Sequence, residues 1–425
     1  MKVLHINTYP GNGGAGRACA RLSGALQQQG ITSEIAVNFS FAGNPSVHDL
    51  SEKLVRRWLT AGTIILEGLL SKLFVKPVKI PFSLPFFGRD ISRNKWVKES
   101  DIIHLHWINH AFLRPKDISK LKKLNKPIVW TFHDSNAFTG GCHVRYTCDH
   151  FLKECGDCPV LKNAGQNDWS HRIWLHKQKA YNGLDFMIIA PSKWMAESVL
   201  KSKLLHDRGV QVIANTLNTA IFKPYLKTEA REKLGISANK FILMSGFMPS
   251  RKDLHKGTPY LIEALAILTT DSGISVNDIE LIVFGNRDAE NTPEFSISTT
   301  FLGTISDDEK LALCYSAADV FVTPSLEDNL PNTVMESLAC GTPVVAFTTG
   351  GIPDMVKHEE NGYLAAYRSS EDLATGIKWV FDHGDKQRLN TAARQSVMEN
   401  FSEDIIARKH IAVYQELLSK YKSKR

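Results

Sequence analysis

Short apolar runs recur along the chain, and longer stretches with helical spacing separate them. Residues 2–6, 33–38, 101–106, 127–132, 185–190 and 210–214 read as buried strands. A turn rich in glycine covers residues 9–16, and an amphipathic helix covers 17–29. Strand, glycine turn, helix and strand open a doubly wound parallel sheet. Residues 215–225 carry prolines and polar side chains and read as a linker. The pattern then restarts. Residues 241–247 and 279–285 are strands with a helix at 259–268 between them, and residues 320–323 and 344–347 are strands around a helix at 332–339. A last helix covers 402–421. The expected class is α/β, with one Rossmann-like domain over residues 1–215 and a second over 216–399. Residues 400–425 return to the first.

Residues 51–87 break the pattern. Arg56, Arg57, Lys72 and Lys76 alternate with Trp58, Ile65, Leu69 and Leu73, and PFSLPFFG follows. This reads as a basic amphipathic helix and an apolar loop, placed either in a membrane interface or against the core with a polar face outwards.

Open parallel sheets bind ligands beyond the carboxyl ends of their strands. In the second domain that position holds Glu327, Asp328, Asn329 and Leu330, and Glu336 follows on the next helix. Carboxylates accept hydrogen bonds from sugar hydroxyls, although acids near a helix start can also be merely solvated. Arg251 and Lys256 follow the first strand of this domain and are candidates for binding a diphosphate. In the first domain, His133 and Asp134 end a strand, and Gly13 and Gly14 lie in the glycine turn, where backbone amides can meet phosphate. His104, His106 and His110 lack a carboxylate partner, which favours a structural or substrate-side role over metal binding. Cys142, Cys148, Cys155 and Cys158 are grouped and end in a C-x2-C knuckle. A structural zinc suits them, with His143 and His150 as alternative ligands; reduced thiols and a redox pair are the other readings. Asp307 and Asp308 fit a helix start rather than a metal-binding pair.

Composition narrows the function. The chain has 425 residues, 43% of them apolar and 22% charged, with a formal net charge of +7. That balance suits an anionic ligand or an acidic membrane surface, and no nucleic-acid motif accompanies it. The amino terminus enters a strand directly, and no apolar run is long enough to span a bilayer, so a cytoplasmic location is expected.

The stretch PSLEDNLPNTVMESLACGTPVVA from Pro324 resembles the motif of family-four retaining glycosyltransferases, in which two acids flank seven residues. The likeness continues through DIIHLHWINHAFL, APSKW, IANTLNTAIF, HKGTPYLIEAL, LIVFG and TGGIPDMV. TFHDSNAFTGGCHVRYTCDHFLKECGDCPVL, from Thr131, looks like a subgroup of bacterial exopolysaccharide, capsule and O-antigen enzymes. There are two departures. Asp328 stands where the family usually has Glu, and Gly246 precedes Phe247 rather than arginine. The resemblance implies the GT-B architecture of two domains facing across a cleft. It implies metal-independent transfer of a sugar from a nucleotide diphosphate sugar to a saccharide or lipid-linked saccharide, with no cofactor beyond the structural zinc. Lys256, Arg251 and the amides of Gly13, Gly14, Gly350 and Gly351 would steady the diphosphate. Glu336 would bind ribose, Asp328 and Glu327 sugar hydroxyls, and His133 and Asp134 the donor sugar or the acceptor. A degenerate, glycan-binding scaffold is the alternative, favoured by the two departures.

Overall fold

The computed structural model describes residues 1–11, 13–40, 46–51, 54–77, 80–246, 254–270, 273–285 and 294–423. The chain forms two units, Met1–Thr216 with Asp404–Arg425, and Leu217–Glu403.

The first unit holds a seven-stranded sheet: β1 (Lys2–Asn7), β2 (Thr32–Val37), β3 (Val47–Asp49), β4 (Ile102–Leu105), β5 (Ile128–Thr131), β6 (Met187–Ala190) and β7 (Val210–Val212). The order is β3-β2-β1-β4-β5-β6-β7, and every pair is parallel. Register sets the chemistry of its faces. His5 lies opposite His104, and His104 lies opposite Val129. Side chains alternate along a strand, so Val3 and His5, Ile102 and His104, and Val129 and Thr131 share one face. That face is apolar at its amino end, where Val3, Ile102 and Val129 pack on the helices Gly13–Gln28 and Glu403–Ser423. It turns polar towards its carboxyl end. The opposite face, with Leu4, Ile6, Ile103, Leu105, Ile128 and Trp130, lies in the larger core.

The second unit holds six parallel strands: β8 (Phe241–Gly246), β9 (Ile279–Phe284), β10 (Thr299–Gly303), β11 (Val320–Thr323), β12 (Val344–Phe347) and β13 (Gly362–Ala365). Their order is β10-β9-β8-β11-β12-β13. The direction of winding reverses between β8 and β11, and such reversals leave a crevice at the strand ends.

The expected fold class, two Rossmann-like domains, is present. Three edge or near-edge strands, β3, β10 and β13, escaped the hydrophobic pattern. Each is short, and β3 (VHD) and β10 (TTFLG) are rich in polar or small residues. The helix after β1 starts at Gly13, not Arg17, so the turn is shorter than its glycines suggest.

The helix Leu54–Phe74 turns an apolar face away from the protein, opposite to the core placement. Two of its charged residues face the protein: Arg57 pairs with Asp49 at 2.8 Å, and buried Glu67 accepts the amide of Ala111 at 2.9 Å. Its apolar residues face outwards, with Trp58 73% and Leu73 63% exposed and Leu59, Ile65 and Leu69 similarly open. The alternative of a core helix with a solvated polar face is therefore excluded. Among the described residues no helix is long and apolar enough to cross a membrane.

Candidate functional site

In the second unit, the loops after β8, β11 and β12 meet at the reversal of winding. The segment after β8 is stitched to the loop after β11. Leu326 donates its amide to the His255 carbonyl at 2.9 Å. Gly257, at φ +66°, leaves no room for a side chain, since a Cβ there would lie 1.8 Å from the Pro324 carbonyl oxygen. These contacts bring Lys256 Nζ to 2.8 Å from Asp328 Oδ2. Burial alone would raise the Asp328 carboxyl. The charges of Lys256 and His255, with hydrogen bonds from Lys256 and Ser325, outweigh it and hold the group below its ordinary value. The pair is partly open to solvent, so a ligand can reach both charges.

The loop after β12 closes on the same point. Gly350, at φ +55°, packs against Asp328 so tightly that a Cβ would meet its carbonyl oxygen at 1.8 Å. Gly351 donates its amide to that oxygen at 3.0 Å. The Gly351 amide therefore clasps the Asp328 loop, and the expectation that it meets phosphate is corrected accordingly. Glu327 and Leu330 are buried, and Asn329 is half-buried. Glu336 sits almost wholly buried on the helix Asn332–Ala339 and accepts the Tyr315 hydroxyl at 3.2 Å. Arg251 lies outside the described residues.

In the first unit, His133 and Asp134 follow β5, as their position in the pattern requires. Asp134 is an anchor. One carboxylate oxygen accepts the Asn136 amide at 2.8 Å, capping a short 3-10 turn, and the other accepts the Trp107 indole N–H at 2.8 Å and meets His143 Nδ1 at 2.6 Å. Burial would raise this carboxyl, but His143, the Asn136 amide and the indole hold it low. With its oxygens so occupied, Asp134 positions the loop around His133. Buried Lys177 fastens the same loop, donating to the carbonyls of Asn136 and Thr139; burial brings its pKa down to about 8.

His133 ends a line of buried imidazoles. It meets His106 Nδ1 at 3.0 Å, His106 Nε2 meets His5 Nδ1 at 2.9 Å, and His5 Nε2 meets Ser33 Oγ at 3.1 Å. Beside this line, His104 bridges the Tyr414 hydroxyl (2.7 Å) and Thr131 Oγ1 (2.8 Å). Burial lowers all of these histidines, His5 to about 3, His133 to about 4, and His104 and His106 well below the ordinary value. A neutral imidazole donates through one nitrogen and accepts through the other, so the direction of donation at one end of the line fixes the tautomer at the other. For His104 and His106 these contacts favour the structural side of the expected structural or substrate-side role. The part of His5, Tyr414 and Trp107 was not read from the sequence. The signal available was the i, i+2 spacing of His104 and His106 on a strand whose other inward residues are apolar.

Gly13 and Gly14 are exposed in the first turn of their helix. Of the four clustered cysteines, Cys142 and Cys158 share a thiol–thiol hydrogen bond, which brings Cys158 down to about 7 and pushes Cys142 well up. Cys155 Sγ accepts the Gly140 amide at 3.2 Å. Among the described residues, the group of three ligand atoms lying within 4.8 Å of one another is His5, Cys19 and His106, not the cysteine cluster. Sulfurs that share a zinc ion lie closer than that, since each sits about 2.3 Å from the metal. The four thiols lie near enough to act on one another's ionisation, with Cys158, Cys155 and Cys148 all bearing on Cys142. His5 and His106 are already bonded to each other.

Comparison with known families bears on this geometry. Residues 12–221 match the model of "Glycosyltransferase Family 4", and residues 227–396 match that of "Glycosyl transferases group 1". The chain carries a family 4 and a group 1 glycosyltransferase domain. This glycosyltransferase is 24% identical over 360 residues to the putative colanic acid biosynthesis glycosyl transferase WcaC of Escherichia coli K12, covering 81% of this chain and 83% of that one. Its fold is shared by Anabaena HepE, solved in complex with UDP-glucose, at a TM-score of 0.63 and 18% identity, covering 99% and 100% of the two chains. WaaG, a glycosyltransferase involved in lipopolysaccharide biosynthesis, matches at a TM-score of 0.60 and 13% identity, covering 97% and 99%. These neighbours place the glycosyltransferase in the GT-B fold, and its Lys256–Asp328 pair lies where that fold's second sheet reverses.

Proposed function

We propose that this glycosyltransferase moves a sugar from a nucleotide diphosphate sugar to a hydroxyl of a lipid-linked saccharide, with retention of anomeric configuration, in the assembly of a cell-surface polysaccharide. The observation that carries the reading is the Lys256–Asp328 pair at the carboxyl ends of β8 and β11. A leaving diphosphate needs positive charge fixed where negative charge develops. Lys256 supplies it, and Arg251 and the backbone of Gly13 and Gly14 assist. No metal is given a catalytic part. Asp328 both orients Lys256 and accepts hydrogen bonds from donor hydroxyls, with Glu327, Asn329 and Leu330 completing the loop. Glu336 binds the nucleotide ribose. Neutral His133, held in one tautomer, hydrogen-bonds the donor sugar. A front-face reaction, in which the leaving phosphate takes the acceptor's proton, requires no protein nucleophile.

The donor class is supported by the UDP-glucose complex of HepE, and the polysaccharide context by the names of WcaC and WaaG. The outward apolar face of the helix Leu54–Phe74 supports action at the inner surface of a membrane. The test is transfer and hydrolysis across a panel of UDP- and GDP-sugars, with product configuration read by NMR. No turnover or binding of any nucleotide sugar would remove the reading in favour of a glycan-binding scaffold, and an inverted product would remove retention.

A further inference from the structure

A pocket of about 380 Å³ opens in the first unit between the helix Leu54–Phe74 and the segments 87–90 and 111–114. Arg56, Leu59, Thr60 and Thr63 line it from the helix at i, i+3, i+4 and i+7, and Arg89 and Arg114 from the other side. Its charges do not balance. Arg114 is held by Asp117 at 2.7 Å, Asp90 by Lys120 at 3.3 Å, and nearby Asp49 by Arg57 at 2.8 Å. Arg89 donates to the Leu50 carbonyl at 2.6 Å, to Thr60 Oγ1 at 2.8 Å and to Ser51 Oγ, all uncharged acceptors. Among the described residues neither Arg56 nor Arg89 makes an ion pair. Partial burial lowers the pKa of Arg89, the charge of Arg56 lowers it further, and the more distant Asp49 offsets this only in part.

A buried charge is ordinarily paired, because leaving water costs several kcal/mol. Arg89, half-buried, and Arg56, exposed, thus face one pocket whose own carboxylate, Asp90, is already engaged by Lys120. Guanidinium forks fit phosphate oxygens. Leu59 lines the pocket and also lies on the outward apolar stripe, 64% exposed. The anion's binding site therefore opens beside a surface suited to a hydrocarbon chain.

We infer that this pocket holds the phosphate or diphosphate end of a lipid-linked acceptor, with the lipid running along the outward face of the helix. A discrete pocket with two uncompensated cations matches the charge of one such group better than the spread charge of a bilayer. The inference deepens the proposed lipid-linked acceptor, and its test needs no sugar transfer. The full chain is mixed with neutral phosphatidylcholine vesicles, with the same vesicles containing a long-chain polyprenyl phosphate, and with vesicles brought to the same charge by phosphatidylglycerol. The expected result is binding to the polyprenyl phosphate vesicles roughly tenfold tighter than to the charge-matched ones. Arg56→Glu should abolish most of that difference, and Arg89→Lys, which keeps the charge but loses the fork, should reduce it. A melting curve of each variant establishes that it is folded. Equal binding to both charged vesicles would mean a general acidic-lipid surface and overturn the proposal, as would an unchanged preference in folded Arg56→Glu. Donor hydrolysis by the wild-type chain without vesicles is a separate measurement, so failure of the donor chemistry and failure of this pocket are told apart.

Discussion

At the carboxyl ends of its central strands, the first domain gathers His5, His104, His106 and His133, which burial keeps uncharged. The corresponding place in the second domain holds a lysine and an aspartate paired at 2.8 Å and partly open to water. The folds are alike, yet one sheet end is a dry, neutral hydrogen-bonding surface and the other a charged one. The difference follows from what covers each sheet. In the first domain the helices that pack on the apolar end also reach the polar one, Cys19 lying beside His5 and His106, and His410 and Tyr414 beside His104. In the second domain the charged pair lies beyond the strand ends and stays partly open to water. Neutral groups can orient a sugar without binding a diphosphate tightly, and charges can hold a diphosphate. The comparison therefore assigns the two halves different work.

The largest effect that could break the comparison is on stability in acid. The folded pKa values of the buried histidines lie below the ordinary value near 6.5. Below pH 6.5 the unfolded chain takes up protons that the folded first domain refuses. Stability is thus intact above pH 6.5 and declines as the pH falls towards about 4, by up to about 1.4 kcal/mol per pH unit for each such histidine. Domain-resolved hydrogen exchange at pH 7 and pH 5 should show the first domain loosening first. Equal loosening of both would contradict the neutral imidazole line.

Next in size is Lys256→Ala, expected to lower kcat about 10²–10³-fold, or ~2.7–4 kcal/mol, with little change in folding. Undiminished turnover would strip Lys256 of its charge-stabilising part. His106→Asn interrupts the imidazole line without touching substrate and leaves a buried nitrogen unsatisfied, at a cost of about 1–3 kcal/mol. Nitrogen-15 shifts should show His133 losing its single tautomer, with kcat falling more than KM rises. A fixed tautomer in the variant would mean that the line does not set it. EDTA should leave initial rates unchanged, and immediate inactivation reversed by magnesium would sharpen the comparison against metal-free chemistry. Smallest of all, Trp58→Ser with Leu69→Ser should shift folding stability by no more than about 0.5 kcal/mol each while weakening vesicle binding.

The sequence made the central elements legible because a parallel sheet buried on both faces leaves unbroken apolar strands such as those of β8, β11 and β12. The loop from Glu327 to Pro331 could be placed because β11 and the following helix bracket it closely. Other features depended on partners far along the chain. Asp134 looks like a ligand-facing acid until Trp107 and His143 are seen to occupy it. Gly351 looks like a phosphate donor until its amide is found on the Asp328 carbonyl. The helix Leu54–Phe74 shows amphipathic spacing, but spacing alone does not tell which face turns inwards. Arg57 and Glu67 decide that through Asp49 and the Ala111 amide.

The first domain is assembled from both ends of the chain, since Glu403–Ser423 packs on Val3, Ile102 and Val129. During synthesis, residues 217–403 can complete their own sheet while the earlier-made domain still shows a bare greasy face. The half translated second is therefore the first able to finish folding. Until residues 403–423 leave the ribosome, the nascent protein has a sticky surface of the kind that chaperones bind.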